Sequence, residues 1–283
     1  MIVSDSVPDF TDYSNHLYDE MHIRLLMARS ERLRAHGWDH ENLSGSHWRL
    51  YQNDAPGARL IVDGRPFELK ERTVYLIPAG HRLDSSTSAA FTQFYVHFDV
   101  VGMPQIALRE LFGGLVETPK DAEFEEAVHR LGRRIDTRTG NVLVAQCLVK
   151  GIVYEALGRY LDTVPVEQRE RWGKRVSSLR PVLPAIQRIE EAPDEKLTIP
   201  DLAALCHMSD DHFIRTFRIC AGVSPIRYVL ERRVALAAQR LLFTDETIDH
   251  IASAVGFGNR YYFTRVFTRQ MGQAPAAFRK GVR

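Results

Sequence analysis

The stretches Phe213-Ile214-Arg215-Thr216-Phe217 and Phe263-Thr264-Arg265-Val266-Phe267 carry one Phe-x-Arg-x-Phe pattern, displaced by 50 residues. Gly222 and Pro225 follow the first as Gly272 and Pro275 follow the second, so five identities share a single offset. Upstream, Leu202-Ala203 with Met208 matches Ile251-Ala252 with Phe257 at an offset of 49, one residue having been gained in the turn. Recurrence at a fixed period marks a duplicated supersecondary unit. Each copy reads as helix, short turn, helix.

In the first copy Thr198 caps a helix over Ile199 to Cys206, with Asp201 three residues on as in a capping box. Leu202, Ala203 and Leu205 supply its buried face. Ser209 then caps a helix from Asp210 to Ala221, in which Phe213 and Phe217 lie four apart and face inward, leaving Asp211, Arg215 and Arg218 exposed. The second copy places Ile248, Ile251 and Val255 in its first helix, turns at Gly256-Phe257-Gly258-Asn259, and runs its second helix from Arg260 to Met271. Phe263 and Phe267 form the core face; Arg260, Tyr261, Thr264, Arg265 and Thr268 lie mainly elsewhere. Of Tyr261 and Tyr262 one packs while its neighbour faces out, and the pattern does not say which. Gly222 and Gly272 read as helix C-caps. Between the copies Ser224-Pro225 opens a helix continuing to about Phe243. Its length of about 28 Å makes it a rigid spacer, comparable to one DNA turn of about 34 Å.

Two helices joined by a tight turn, the second bearing Arg on its free face, form the arrangement that sets a recognition helix in the DNA major groove. An exposed Arg is ordinarily a surface ion-pairing residue. Identical placement of Arg215 and Arg265 in both copies favours DNA contact.

The chain as a whole has 283 residues, a length that at about 150 per domain points to two domains. With 45% hydrophobic, 26% charged and 10% aromatic residues it falls among globular proteins, away from collagenous, mucin-like or disordered chains. The start, Met1 to Asp9, lacks a basic and then apolar leader pattern, and no stretch approaches 18 uninterrupted apolar residues. Neither a standard secretion signal nor a membrane span is expected. Cys147, Cys206 and Cys220 show no C-x-x-C spacing, so neither a disulfide framework nor a cysteine zinc site is expected, and a reducing cytoplasm fits. The net charge of +1 hides an asymmetry: residues 196–283 hold 13 Lys and Arg against 7 Asp and Glu, the remainder 24 against 29. A basic last third suits phosphate neutralisation, although a solvated basic surface gives the same count.

From Ser46 to Val100 short β-rich runs alternate with turns, including Asn53-Asp54-Ala55-Pro56-Gly57, the hairpin turn Asp63-Gly64-Arg65, and Pro78-Ala79-Gly80. Strands at about ten-residue spacing suggest a small sandwich or barrel. His22 to Arg34 fits a first strand or an amphipathic helix. Beyond Thr118 the period becomes helical through Phe124, Val128, Leu131 and Ile135, a second helix follows over Val142 to Leu161, and a third ends near Glu191 after a charged connection.

The string Leu202-Ala203 to Met208-Ser209, Phe213-x-Arg215-x-Phe217, Gly222-x-Ser224-Pro225-x-x-Tyr228, Arg232-Arg233, Ile248-x-x-Ile251-Ala252, Val255-Gly256-Phe257, Phe263-x-Arg265-x-Phe267 and Gly272-x-x-Pro275-x-x-Phe278-Arg279 resembles the DNA-binding domain of AraC/XylS-type bacterial transcription regulators. It covers about 105 residues. The resemblance implies an α+β chain of two domains. An N-terminal cupin-like β-barrel occupies 1–118 as the effector-sensing part, with helices following it. Residues 119–176 form a helical dimerisation region and linker, and 177–283 an all-α domain with two helix-turn-helix motifs joined by a central helix. It further implies double-stranded DNA, a small-molecule effector, RNA polymerase and a second copy of the chain as partners, activation rather than repression, and no membrane and no cofactor. The implied DNA-facing residues are Asp211, Ile214, Arg215 and Arg218 in the first reading helix and Arg260, Tyr261, Thr264 and Arg265 in the second. Asp210 and Asp211 depart from this pattern, since they suit a helix N-terminus but repel phosphate, and Ile214 offers only apolar contact.

In the barrel, Trp48, Tyr51, Arg59, His81, Tyr95 and His97 are the candidate effector contacts, aromatic faces suiting a sugar; the same aromatics would equally fill a small barrel. His47, His81 and His97 are widely separated and no His-x-His occurs, which argues against a metal site and hence against the alternative of a metal-dependent cupin enzyme. A regulator needing no ligand is the third reading.

Overall fold

The structure is a computed structural model and describes residues 21–280 apart from 44, 102, 104–106, 109–110 and 137–140. The opening segment read above for a leader lies outside the described residues. Strands β1 (His22–Leu33), β2 (His40–Leu43), β3 (Trp48–Asn53), β4 (Ala58–Val62), β5 (Arg65–Leu69), β6 (Val74–Ile77), β7 (Leu83–Thr87), β8 (Phe91–Val101) and β9 (Val116–Glu117) form two antiparallel sheets, ordered β1-β8-β3-β6-β9 and β2-β7-β4-β5. The segment from His22 is thus a strand, paired along its length with β8 and bulged between Leu25 and Met27. Asp63 and Gly64 both take positive φ, 48° and 81°, as a two-residue hairpin turn requires.

Period-two alternation assigns each side chain of the larger sheet to one of two cores. Trp48, Leu50, Val74, Leu76, Val96 and Phe98 face the helices, whereas Tyr51, Tyr75, Ile77 and Phe91 meet Leu60, Val62, Leu69 and Leu83 of the smaller sheet. Helices α1 (Ala122–Asp136), α2 (Val142–Thr163) and α3 (Val166–Leu179) follow. The charged connection expected around Glu167 to Arg175 is itself helical, because Trp172 and Leu179, seven apart, give α3 a buried stripe among its charges. Gln52 ties α1 to the sheet by donating to the Glu125 carbonyl at 2.8 Å.

A 3₁₀ turn (Arg180–Val182) leads into α4 (Leu183–Glu191), then α5 (Ile199–Leu205), α6 (Asp210–Ala221), α7 (Pro225–Phe243), α8 (Ile248–Ala254), α9 (Arg260–Met271) and α10 (Pro275–Lys280). The expected caps recur in the structure. Thr198 accepts from the Asp201 amide, Ser224 from the Arg227 amide, and Gly222 and Gly272 end α6 and α9 with φ of 74° and 76°. Ser209 occupies the cap position of α6 without a side-chain bond.

The two helix-turn-helix units differ in what they pack on. Leu202, Phe213, Phe217 and Tyr228 of the first belong to a core continuous with α4, α3, α2 and the sheet. The second has its own core, centred on Val234, Leu241, Ile251, Phe263, Phe267 and Phe278. Phe263→Ala should therefore cost about 3 to 5 kcal/mol, and hydrogen exchange should locate the loosening in α8 to α10 while α5 and α6 keep their protection.

Candidate nucleic-acid interface

Burying Phe213 and Phe217 on α6, and Phe263, Val266 and Phe267 on α9, turns the other side of each helix to solvent. Asp211, Arg215 and Arg218 are exposed on α6, and neither arginine has an acidic partner among the described residues. Ile214 is half-buried and packs against the core, so it contributes less free surface than its neighbours. On α9, Arg260, Tyr261, Thr264, Arg265, Thr268 and Arg269 line one open groove. Tyr261 is 84% exposed, whereas the Tyr262 ring rests 5.9 Å from that of Phe257, which decides which tyrosine packs. The Arg265 guanidinium stands over the Tyr262 ring at 5.4 Å, and Arg260 is held at 2.6 Å by Asp249 of α8. Asn259 starts α9 by accepting from the Tyr261 and Tyr262 amides at 2.7 and 3.1 Å.

The relative placement of the two units depends on Arg233 of α7. Its guanidinium donates to the carbonyls of Pro193, Glu195 and Gly256, at 2.6, 2.6 and 2.7 Å, joining the loop before α5 to the turn between α8 and α9. Gly256 has φ of 83° and a Cβ there would run into the Asp194 carbonyl, so this turn needs glycine on both counts.

The sandwich interior brings together only part of the expected effector set. Tyr51, Tyr95 and His97 share the inward face of the larger sheet, the His97 ring lying 5.1 Å from Tyr95 and 6.3 Å from Tyr51. Trp48 alternates to the other face and packs on Phe112 in the helical core. Arg59 lies on the outer face of the smaller sheet, near Glu68, and His81 sits by the β6–β7 turn bonded to Asp63. His47 and Arg49, which precede Tyr51 on the same inward face, join the cluster instead; strand alternation in His47-Trp48-Arg49-Leu50-Tyr51 already carries that signal. Burial pushes the Tyr51 phenol up and the Arg49 guanidinium down. Burial and the Glu31 carboxylate push Tyr95 up to about 12. No group of three or more His, Cys, Asp or Glu among the described residues is placed to hold a metal ion, and no helix among them is long and apolar enough to cross a membrane.

A family profile described as a helix-turn-helix domain matches residues 202–281, the span of both units. The MmsAB operon regulatory protein of Pseudomonas aeruginosa is 35% identical over 88 residues, 31% of this chain but only 29% of that protein, so the match spans less than a third of the relative. An uncharacterized HTH-type transcriptional regulator of Bacillus subtilis, YfiF, is 24% identical over 235 residues, 76% of this chain and 71% of its own. The fold of the whole chain is similar to that of ToxT from Vibrio cholerae bound to (E)-4-(8-methylnaphthalen-1-yl)but-3-enoic acid, with a TM-score of 0.51, 12% identity, and coverage of 93% of this chain and all of that one.

Within residues 202–281, Thr268 lies on the α9 face as its helical position implied, and Arg269 extends that face one turn beyond Arg265, a continuation that helical spacing could have supplied. Asn259→Ala removes the side-chain cap of α9 and should lower stability by about 1 kcal/mol, measured by urea unfolding.

Proposed function

We propose that the protein is a sequence-specific, DNA-binding transcription regulator. The observation that carries this reading is the pair of exposed arginine faces, Arg215 and Arg218 on α6 and Arg260 and Arg265 on α9, set on one frame by α7 and Arg233. Asp211, Ile214, Tyr261 and Thr264 complete the two reading surfaces. With Asp210 and Asp211 in its first turn, α6 reads fewer bases than α9.

Residues 177–283 serve as the DNA-binding domain, 119–176 as helical dimerisation region and linker, and 1–118 as the sensor. In this reading a small-molecule effector meets Tyr51, Tyr95 and His97 of the expected set together with His47 and Arg49, which share their face of the larger sheet, rather than Trp48, Arg59 and His81. A carboxylic acid bound to ToxT supports a ligand for this fold, and the aromatic rings keep a sugar among the candidates. Helix α2 exposes Val142, Leu143 and Val144, a surface suited to pairing with a second copy. Activation and contact with RNA polymerase follow from resemblance to AraC/XylS-type regulators, a cytoplasmic setting from the cysteine usage, and in this reading the chain works by binding rather than by catalysis.

Selection of duplexes from a random pool, followed by binding of the enriched site, tests the reading. Arg265→Ala should weaken that site by about 1 to 3 kcal/mol and relax preference at one base pair. An equal loss on every duplex would make Arg265 a phosphate contact, and failure to enrich any sequence would overturn the proposal. Affinity should also fall steeply with salt, because several phosphates are neutralised together.

A further inference from the structure

One stripe of α7 belongs to neither helix-turn-helix core. Arg232, Gln239 and Phe243, spaced seven and four, point to the end of the β-sandwich. Arg232 reaches Asp99 of β8 at 3.7 Å and Glu190 of α4 at 2.6 Å, and Glu190 also accepts from the Tyr228 hydroxyl at 2.7 Å. Gln239 donates to the Ser46 carbonyl at 3.0 Å and to Asp99 at 3.3 Å. Phe243 sets its ring edge-on to His47 and His97, with centroids at 5.2 and 5.6 Å, and the two imidazoles lie 4.6 Å apart.

The imidazoles are the sensitive part of this contact. His47 is 1% exposed, and His47 Nε2 and His97 Nδ1 have no hydrogen-bond partner among the described residues. From β3 they face Arg49 and Tyr51, from β8 Tyr95, and beside β3 the Ser46 hydroxyl, 3.2 Å from His47 Nδ1. Asp99, the next inward residue on β8, is engaged by Arg24 of β1 at 2.8 Å and by Arg232 and Gln239 of α7. Burial first, then the charge of Arg49, holds both imidazoles well below the ordinary histidine range. A proton taken up there adds a cation beside Arg49 in a buried place; withdrawing Phe243 would let the ring hydrate.

We propose that this stripe is an acid-released latch: α7 stays docked on the sandwich while His47 and His97 are uncharged, and their protonation drives α7 and the second helix-turn-helix away from it. The sign follows from proton linkage. Undocking α7 removes burial, the larger cause, so the imidazoles titrate higher than when docked; the undocked state then binds more protons as pH falls through the histidine range and docking weakens. Each pH unit below it shifts the equilibrium by up to about tenfold per histidine and about a hundredfold for the pair. Burial pushes Glu190 the other way, above the ordinary carboxylate range, so a response carried by Glu190 would have the opposite sign. Release falls on the second unit because its core is separate, whereas the first shares its core with the helices under the sheet.

The regulatory meaning rests on the DNA-binding reading, but the latch itself does not. Hydrogen exchange of the full chain, corrected for intrinsic rates, should show protection in residues 236–243 and 248–271 falling at least tenfold between pH 7.5 and pH 5.5, with α6 little changed. His47→Gln with His97→Gln should abolish that dependence. Protection that ignores pH, or the same dependence in the double variant, would overturn the latch. Should the double variant not fold, histidine carbon NMR of Phe243→Ala decides: His97 should titrate at clearly higher pH there than in the parent, and identical titrations would overturn the proposal. A pH-dependent change in protection without binding to any duplex would leave the latch standing and remove the DNA reading.

Discussion

Helix α7 has to satisfy three surroundings with nineteen residues, and the rest of the structure follows from how its faces are shared. Tyr228 and Val229 near its start enter the core of the first helix-turn-helix, and Val234, Ala237, Ala238 and Leu241 enter that of the second. Arg232, Gln239 and Phe243 meet the β-sandwich. A helix so divided has no free apolar face, which is why it lacks the clean amphipathic stripe of a surface helix. It also means that the second helix-turn-helix moves as one body with most of α7, because the two share a core.

Consecutive residues illustrate the division of labour. Arg232 turns toward two buried carboxylates, Asp99 and Glu190, and its desolvation is offset only because both lie close. Arg233 turns toward backbone carbonyls on two loops and fixes the angle of the second unit. The sequence marks both as arginines of the rod, one hundred degrees apart on a helix, but not which surroundings each would meet.

The asymmetry between the two reading helices is electrostatic as well as mechanical. Helix α9 opens with Arg260 and continues with Arg265 and Arg269, whereas α6 opens with Asp210 and Asp211. The more basic face sits on the unit with its own core, joined to the remainder chiefly through α7. The more acidic face sits on the unit whose core is continuous with the helices packed on the larger sheet.

What can be read from the chain alone is whatever depends on neighbours within a few residues or on exact repetition. The paired Phe-x-Arg-x-Phe faces, the caps at Thr198 and Ser224, the left-handed glycines at 222 and 272, and the length of the central helix are of this kind, since helical period and capping chemistry are local. Tertiary structure decided what depends on residues far apart in sequence. Alternation along β3 separates Trp48 from His47 and Arg49, but only the packing of helices on one face and the second sheet on the other says which set is enclosed. The helix α3 was hidden because its buried stripe is two residues, Trp172 and Leu179, among charges. The meeting of Phe243 with His47 and His97 joins positions far apart in the chain, nearly two hundred residues in the case of His47. No local pattern encodes such a contact, because its energy exists only once both domains are folded and facing one another.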